Sequence, residues 1–383
     1  MSTPPRIAIV GAGPGGLTLA RILHVHGIRA TVYERERHAL ERPQGGTLDL
    51  HAESGQYALA QARLGEAFRR IARYEDQGTR VLDRDGRVLF EDADPTDGDR
   101  PEVDRTALRD MLLGSLPADA VRWGHAVESA SPRDDLTWDL HFDDGSVANH
   151  DLVVGADGTW SRVRPLLSSY RPEYIGLTFI EFGIDDIDRS HPALATLVGA
   201  GKVDIVGEGR LIVAQRNANS HVRGYAIFRV PMDWVERRFD MSSPASFRDA
   251  LVAEFAGWSE DVLELIRAGN DRLVARPLFA LPVGHRWVHR RGLTLLGDAA
   301  HAMSPFGGEG VNTAMRDAAE LAARLVGTLD WDDAVAAFEN DMFERVVEAA
   351  RGAAEGAAMQ GSHDALALTL DHLRSVLGEV GAW

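Results

Sequence analysis

Apolar residues recur along this chain with two different periods. Short β-branched runs predict buried strands at 6–10, 30–33, 151–155 and 292–296. Between and after them the spacing is helical. Leu17, Leu19, Ala20 and Leu23 recur at helical spacing, and Val311, Ala314, Met315, Ala318, Ala319, Leu321, Ala322 and Leu325 form a second helical set. Ala58, Leu59, Ala62, Leu64 and Phe68 predict a helix over 54–71. Val335, Phe338, Met342, Val346 and Ala353 predict a long one after Asp332, weakened later by Gly352 and Gly356. A last helix is expected over 363–378. Residues 170–275 change character: alternating strands dominate at 175–183, 202–206, 210–215 and 222–230, followed by a helical piece. The pattern is that of an α/β chain with a Rossmann-type domain, an inserted sheet-rich domain and C-terminal helices. The expected boundaries are 1–60, 105–168 and 277–325 for the first domain, 61–104 and 169–276 for the second, and 326–383 for the helices.

The first strand runs into Gly11-Ala12-Gly13-Pro14-Gly15-Gly16, and a helix starts there. In such a turn Gly11 permits the reversal, Gly13 lets backbone approach a pyrophosphate, and Gly16 lets helix and strand pack closely. The helix N-terminus offers N–H groups and a positive dipole end to phosphate. The second strand ends at Glu34-Arg35, where a carboxylate suits the hydroxyls of an adenosine ribose. Nearly three hundred residues later Leu295-Leu296-Gly297-Asp298 and Pro305-Phe306-Gly307-Gly308-Glu309-Gly310 repeat the arrangement of strand, glycines and helix. That second stretch is suited to the other end of the same long cofactor.

Composition narrows the chemistry. At 383 residues the chain suggests about two domains. It has no cysteine, which excludes disulfides and thiolate metal sites and goes with a cytoplasmic location. A net charge of −17 argues against nucleic acid or an anionic membrane as partner. Lys202 is the only lysine, so no Walker P-loop is present. No run is apolar enough to span a bilayer, and no export signal is expected at the N-terminus. There is no HExxH, and the His285/His289 pair leads into a strand, so no metal is expected.

Three motifs taken together carry a resemblance. GAGPGGL at 11–17, DLVVGADGTWSRVR at 151–164 and LLGDAAHAMSPFGGEGVN at 295–312 resemble the three motifs of the class A flavin-dependent aromatic hydroxylases, which are similar in fold to p-hydroxybenzoate hydroxylase. GGTLDLH at 45–51 and the ERER at 34–37 look most like the tetracycline-inactivating members. The resemblance implies that Gly11, Gly13, Gly16, Glu34 and Arg35 hold the ADP half of FAD. Arg105 would meet the FAD, Asp49 would lie by the flavin, and Asp157 would belong to a motif shared by FAD and NAD(P)H. Arg42 would meet the NADPH phosphate and Asp298 the ribityl chain, with Gly307, Gly308 and Gly310 against the ring. The physics agrees with that last placement, because a helix N-terminus favours a reduced, anionic flavin.

The implied activity is hydroxylation of an aromatic, phenolic or polycyclic (tetracycline-like) small molecule. NADPH or NADH would reduce the flavin, and dioxygen would react through a flavin C4a-hydroperoxide, so no catalytic side chain is required. The protein would work as a monomer. In the inserted domain Phe182, Arg210 and Arg223 are the candidates for lining a substrate pocket. Arg210 matches the subgroup's substrate arginine. The subgroup's glutamine falls near Glu181 or Phe182, its histidine near Arg223 and its asparagine near Gly356, so three of its four substrate residues are not matched here. The alternatives are a flavoprotein that binds or senses a small molecule, or a flavin oxidoreductase without oxygen insertion. A flavin halogenase would need a suitably placed lysine and a WxWxIP signature, and the chain has neither.

Overall fold

Four of the predicted strands, with a fifth at Val121–Trp123, form one parallel sheet. They are β1 (Ile7–Val10), β2 (Ala30–Glu34), β3 (Val121–Trp123), β4 (Leu152–Gly155) and β5 (Leu293–Leu295), in the order β5-β4-β1-β2-β3. Every residue of β1, β4 and β5 is buried, as expected of strands covered on both faces. The computed structural model describes residues 5–41, 45–92, 100–328, 330–360 and 365–370. The chain divides into two units: Met1–Ala72, Arg105–Glu173 and Phe279–Ala354 make the first, and Arg73–Asp104, Tyr174–Leu278 and Glu355–Trp383 the second.

In the first unit the register levels three strand ends. Val10 pairs with Gly155, and Gly155 pairs with Leu295. The loops after these strands therefore leave the sheet side by side, at the carboxyl edge where open α/β sheets bind ligands. Helix α1 (Pro14–Val25) follows β1. The short helix α2 (Asp298–His301) and the long helix α3 (Glu309–Leu325) follow β5. Gly15 closes α1 onto this later segment: a Cβ there would meet Leu296 Cδ1 at 2.8 Å and the Ala314 carbonyl at 3.1 Å.

One helical expectation is corrected. The 54–71 helix is broken into a π-helical turn (Ala52–Gln56) and two short helices, Tyr57–Gln61 and Gly65–Arg69. The break falls at Arg63, whose φ of 56° is left-handed and ends a helix. The apolar residues of this stretch are nonetheless buried, so their pattern reported burial and not continuity. The expected long helix, α4 (Trp331–Met359), forms and runs through Gly352 and Gly356. Each glycine costs about 1 kcal/mol in a helix. Burial of Val335, Phe338, Met342, Phe343 and Val346 on that helix outweighs this cost. Residues 365–370 are helical, and the rest of the 363–378 expectation lies outside the described residues.

The second unit is built on a seven-stranded sheet. Its order is Val274–Ala280, Glu173–Ile184, His221–Arg229, Arg210–Asn217, Lys202–Gly207, Thr79–Asp83 and Val88–Asp92. One face packs on helices within this unit, where Ile180, Phe182, Ile184, Ile205, Ile212 and Ala214 join Phe247, Leu251, Phe255, Val262 and Ile266 in a core.

Candidate functional site

The glycine turn of the first unit is shaped by close contacts. Gly11 has φ +110°, and a Cβ there would lie 2.4 Å from the Ala156 carbonyl. A Cβ at Gly16 would lie 2.2 Å from the Gly11 carbonyl. Gly13, by contrast, has no atom within 4 Å of its Cβ position, so the turn is tight on its inner side and open on its outer side. The first N–H groups of α1 have no acceptor within the helix, as at any helix start.

Glu34 ends β2 buried beneath this turn. Its Oε2 accepts the Ala12 N–H at 2.8 Å and its Oε1 the Glu36 N–H at 3.0 Å. Each carboxylate oxygen has two lone pairs, so both keep acceptor capacity. Arg35 is exposed. Behind it Glu36 and Arg109 form a buried ion pair at 2.7 Å.

Asp157 follows β4 next to Gly11. Its Oδ2 accepts the Arg162 N–H at 2.7 Å, while its buried Oδ1 has no hydrogen-bond partner among the described residues. Burial pushes this carboxyl above the usual range, against the lowering effect of Ser161 and the Arg162 amide. The loop beyond is tied to α2. Arg164, 3% exposed, donates to the carbonyls of Thr159 (2.7 Å) and Ala299 (3.1 Å). Thr159 Oγ1 donates to Asp298 Oδ2 at 3.1 Å. Asp298 is otherwise exposed at the start of α2.

The head of α3 is held by a residue the motif contains but the chemistry does not announce. Asn312 is fully buried. Its Oδ1 accepts the N–H of His51 at 2.9 Å and of Gly55 at 3.3 Å. Its Nδ2 donates to the carbonyls of Asp49 at 2.9 Å and Gly308 at 3.2 Å. Gly308, with φ +71°, is the N-cap of α3, and a Cβ there would lie 2.9 Å from Asp49 Oδ1. One amide thus fixes segment 49–55 to the glycines at 307–310. Gly310 lies beside Asp298, with 4.0 Å from its Cβ position to Oδ1. Arg105 is exposed; its N–H donates to Gly46 at 3.1 Å and its side chain passes 3.2 Å from the Cβ position of Gly45. Arg42 lies outside the described residues.

Asp317 sits one layer deeper. It accepts from the Gly297 N–H at 2.9 Å, lies 2.6 Å from His301 Nε2, and pairs with Arg345 at 2.6 Å. Burial alone would raise its carboxyl, but His301, Arg345 and the Gly297 amide together hold it below the usual range.

The first unit therefore gathers Gly11, Gly13, Asp157 and Asp298 around adjacent loop ends, and brings Asp49 to Gly308. These residues fit a dinucleotide cofactor. The open side of Gly13, the unpartnered Asp157 Oδ1 and the remaining capacity of Glu34 are the features such a ligand would use.

The candidates in the second unit do not stay together. Phe182 is 1% exposed and lies in the helix-packed core, where its ring covers Gly224. It is a core residue. Strand alternation also places Arg210 on the side of Ile212 and Ala214, because it pairs with Gly207, while Arg223 pairs with Gln215 on the other side. Arg210 and Arg223 therefore stand on opposite faces of the sheet. The face opposite the helices instead carries Glu181 between Arg223 and Arg276, with Phe179 and Tyr225 beside it at 5.6 Å between ring centroids. Alternation along Ile180, Glu181, Phe182 and Gly183 was the signal for this assignment.

A strand–glycine–helix turn whose outer side is open, beside two further glycine and aspartate loops, defines a dinucleotide-binding flavoprotein fold. The model of the FAD binding domain family matches residues 5–334. Monooxygenase asqM of Emericella nidulans is 32% identical across 96% of this chain and 94% of its own length. The 3-amino-4-hydroxybenzoate 2-monooxygenase PtnB3 of Streptomyces platensis is 31% identical across 92% and 87%. Among solved structures, Klebsiella pneumoniae HpxO complexed with FAD and uric acid shares the fold at a TM-score of 0.82, with 24% identity over 97% of this chain and 93% of that one. The chain belongs to this family of FAD-dependent monooxygenases. No helix among the described residues is long and apolar enough to cross a membrane, and no metal-ligating cluster occurs among them.

Proposed function

We propose that this monooxygenase draws its electrons from NAD(P)H in the cytoplasm and hydroxylates an aromatic, phenolic or polycyclic small molecule. The observation that carries the reading is the level register of β1, β4 and β5, which sets Gly11, Asp157 and Asp298 on neighbouring loops. The aromatic substrate named for the Streptomyces relative supports the substrate class.

Bound FAD would supply hydride acceptance and oxygen activation. The chain's own residues bind and orient it. Gly11, Gly13, Gly16 and the start of α1 take the pyrophosphate, with Glu34 and Arg35 at the adenosine end. Arg105 and Asp157 flank the chain of the cofactor, Asp298 takes its ribityl hydroxyls, and Asp49 with Gly307, Gly308 and Gly310 meets the ring. Arg42 takes the coenzyme phosphate. The α3 N-terminus stabilises negative charge on that ring without reorganisation during reaction.

The substrate group is Glu181 with Arg223 and Arg276, in place of Phe182 and Arg210. In such a group the carboxylate accepts a hydrogen bond from a substrate hydroxyl, while the guanidinium N–H groups beside it donate to an enolate or phenolate oxygen. Such a site suits a ring bearing adjacent acidic hydroxyls, and tetracyclines are one member of that class.

The test is a screen of phenols, hydroxybenzoates and polyketides, tetracyclines included, against the FAD-loaded protein. A substrate should accelerate NAD(P)H oxidation and gain 16 mass units, one oxygen atom. Protein that binds FAD yet shows neither response with any of them would contradict the reading.

A further inference from the structure

The segment linked to the head of α3 carries a histidine that the activity leaves unused. His51 is 1% exposed. Its Nε2 lies 3.0 Å from Asp49 Oδ2. Its Nδ1 lies 3.7 Å from Glu309 Oε1 and 3.9 Å from Glu53 Oε1. Three carboxylates, two from the 49–53 segment and one from the head of α3, thus surround one buried imidazole. The nearest cation on α3 is Arg316, which donates to the Glu53 carbonyl at 3.1 Å and lies 3.6 Å from Glu320. The His51 backbone is pinned separately by Asn312.

Two of those carboxylates stand at the end of α3 that the proposed function assigns to the cofactor ring. Glu309 is the first residue of the helix, and Asp49 Oδ1 lies 2.9 Å from where a Cβ on its N-cap, Gly308, would stand. A helix N-terminus attracts anions, and these two carboxylates compete with any other negative charge for it. A protonated His51 would cancel one of them; a neutral His51 would not. Burial leaves little water to screen this exchange.

We propose that His51 is a positioning residue whose proton, shared with Asp49 and Glu309, sets the charge at the head of α3 and thereby the ease of reducing the bound flavin. The inference rests on the FAD assignment above. Protonation of His51 favours the reduced, anionic cofactor and loss of the proton disfavours it. Removing the imidazole should therefore mimic high pH, and removing the Glu309 charge should act in the opposite direction.

The experiment measures the flavin midpoint potential between about pH 6 and pH 9, the range in which histidine titrates, for wild-type holoenzyme, His51→Gln and Glu309→Gln. His51→Gln should lie below wild type at the acid end and converge with it at the alkaline end. Glu309→Gln should lie above wild type. In the cofactor-free protein, the imidazole NMR signal of His51 should titrate at lower pH in Glu309→Gln than in wild type. A potential for His51→Gln that tracks wild type across the range overturns the proposal. If His51→Gln does not fold, a Glu309→Gln potential and imidazole titration equal to wild type overturn it instead. Failure of the wild type to take up FAD at all contradicts the cofactor assignment, and is seen before any potential is measured.

Discussion

Asp317 holds His301 at 2.6 Å and, through the Gly297 amide, fixes the turn from which Asp298 projects. The carboxylate is wholly buried and also pairs with Arg345. Removing one member of a buried, hydrogen-bonded charge group costs about 3–5 kcal/mol. Asp317→Ala should lower stability by that order in a denaturant titration. The pH dependence has a definite sign. A carboxyl held low in the folded state adds stability that is present above its unfolded value and is lost as pH falls through the folded one. Wild type should therefore lose its advantage over Asp317→Ala below the ordinary aspartate range, and thermal melts against pH would show it.

The glycine turn separates folding from cofactor binding. Gly16→Ala drives a Cβ into the Gly11 carbonyl and should destabilise the protein even without cofactor. Gly13→Val fills open space on the outer side and should leave the melting temperature of the cofactor-free protein nearly unchanged. It should nonetheless abolish FAD binding, because it occupies the approach to the pyrophosphate. Equilibrium dialysis beside calorimetry of the two variants checks both halves.

The two faces of the large sheet make opposite predictions. Phe182→Ala leaves a cavity in the helix-packed core and should cost about 3–5 kcal/mol, with little effect on KM for the aromatic substrate. Arg276 is half-exposed, so Arg276→Ala should fold normally. Its loss should raise that KM about tenfold or more, since hydrogen bonds to charged groups contribute about 1.5–3 kcal/mol. Steady-state kinetics with stability curves distinguishes the pair, and the reverse pattern would show that the faces are misassigned.

Much of this was legible in the sequence. The parallel strands appeared as unbroken apolar runs, and Gly11 and Gly16 stood where only a residue without Cβ fits. The rest depended on partners distant along the chain. Asn312 reads as an ordinary polar helix residue until Asp49, His51 and Gly55 are seen to meet it. Asp317 likewise gains its meaning only from Gly297, His301 and Arg345. Position-by-position matching to a motif sets Phe182 in a pocket, because it ignores which face of the strand a residue takes. The alternation of Ile180, Phe182 and Ile184 against Glu181 already separated the core face from the polar one. The break at Arg63 had no counterpart in the apolar pattern, because a left-handed backbone angle at arginine leaves no compositional mark.

The central claim, that this protein inserts oxygen into an aromatic substrate, is tested most directly by one turnover assay under ¹⁸O₂. With FAD bound, NADPH supplied and a substrate that stimulates its oxidation, each product molecule should carry a single ¹⁸O atom and account for one NADPH consumed. Product without label, or NADPH consumption that yields only hydrogen peroxide with every aromatic tried, would contradict it.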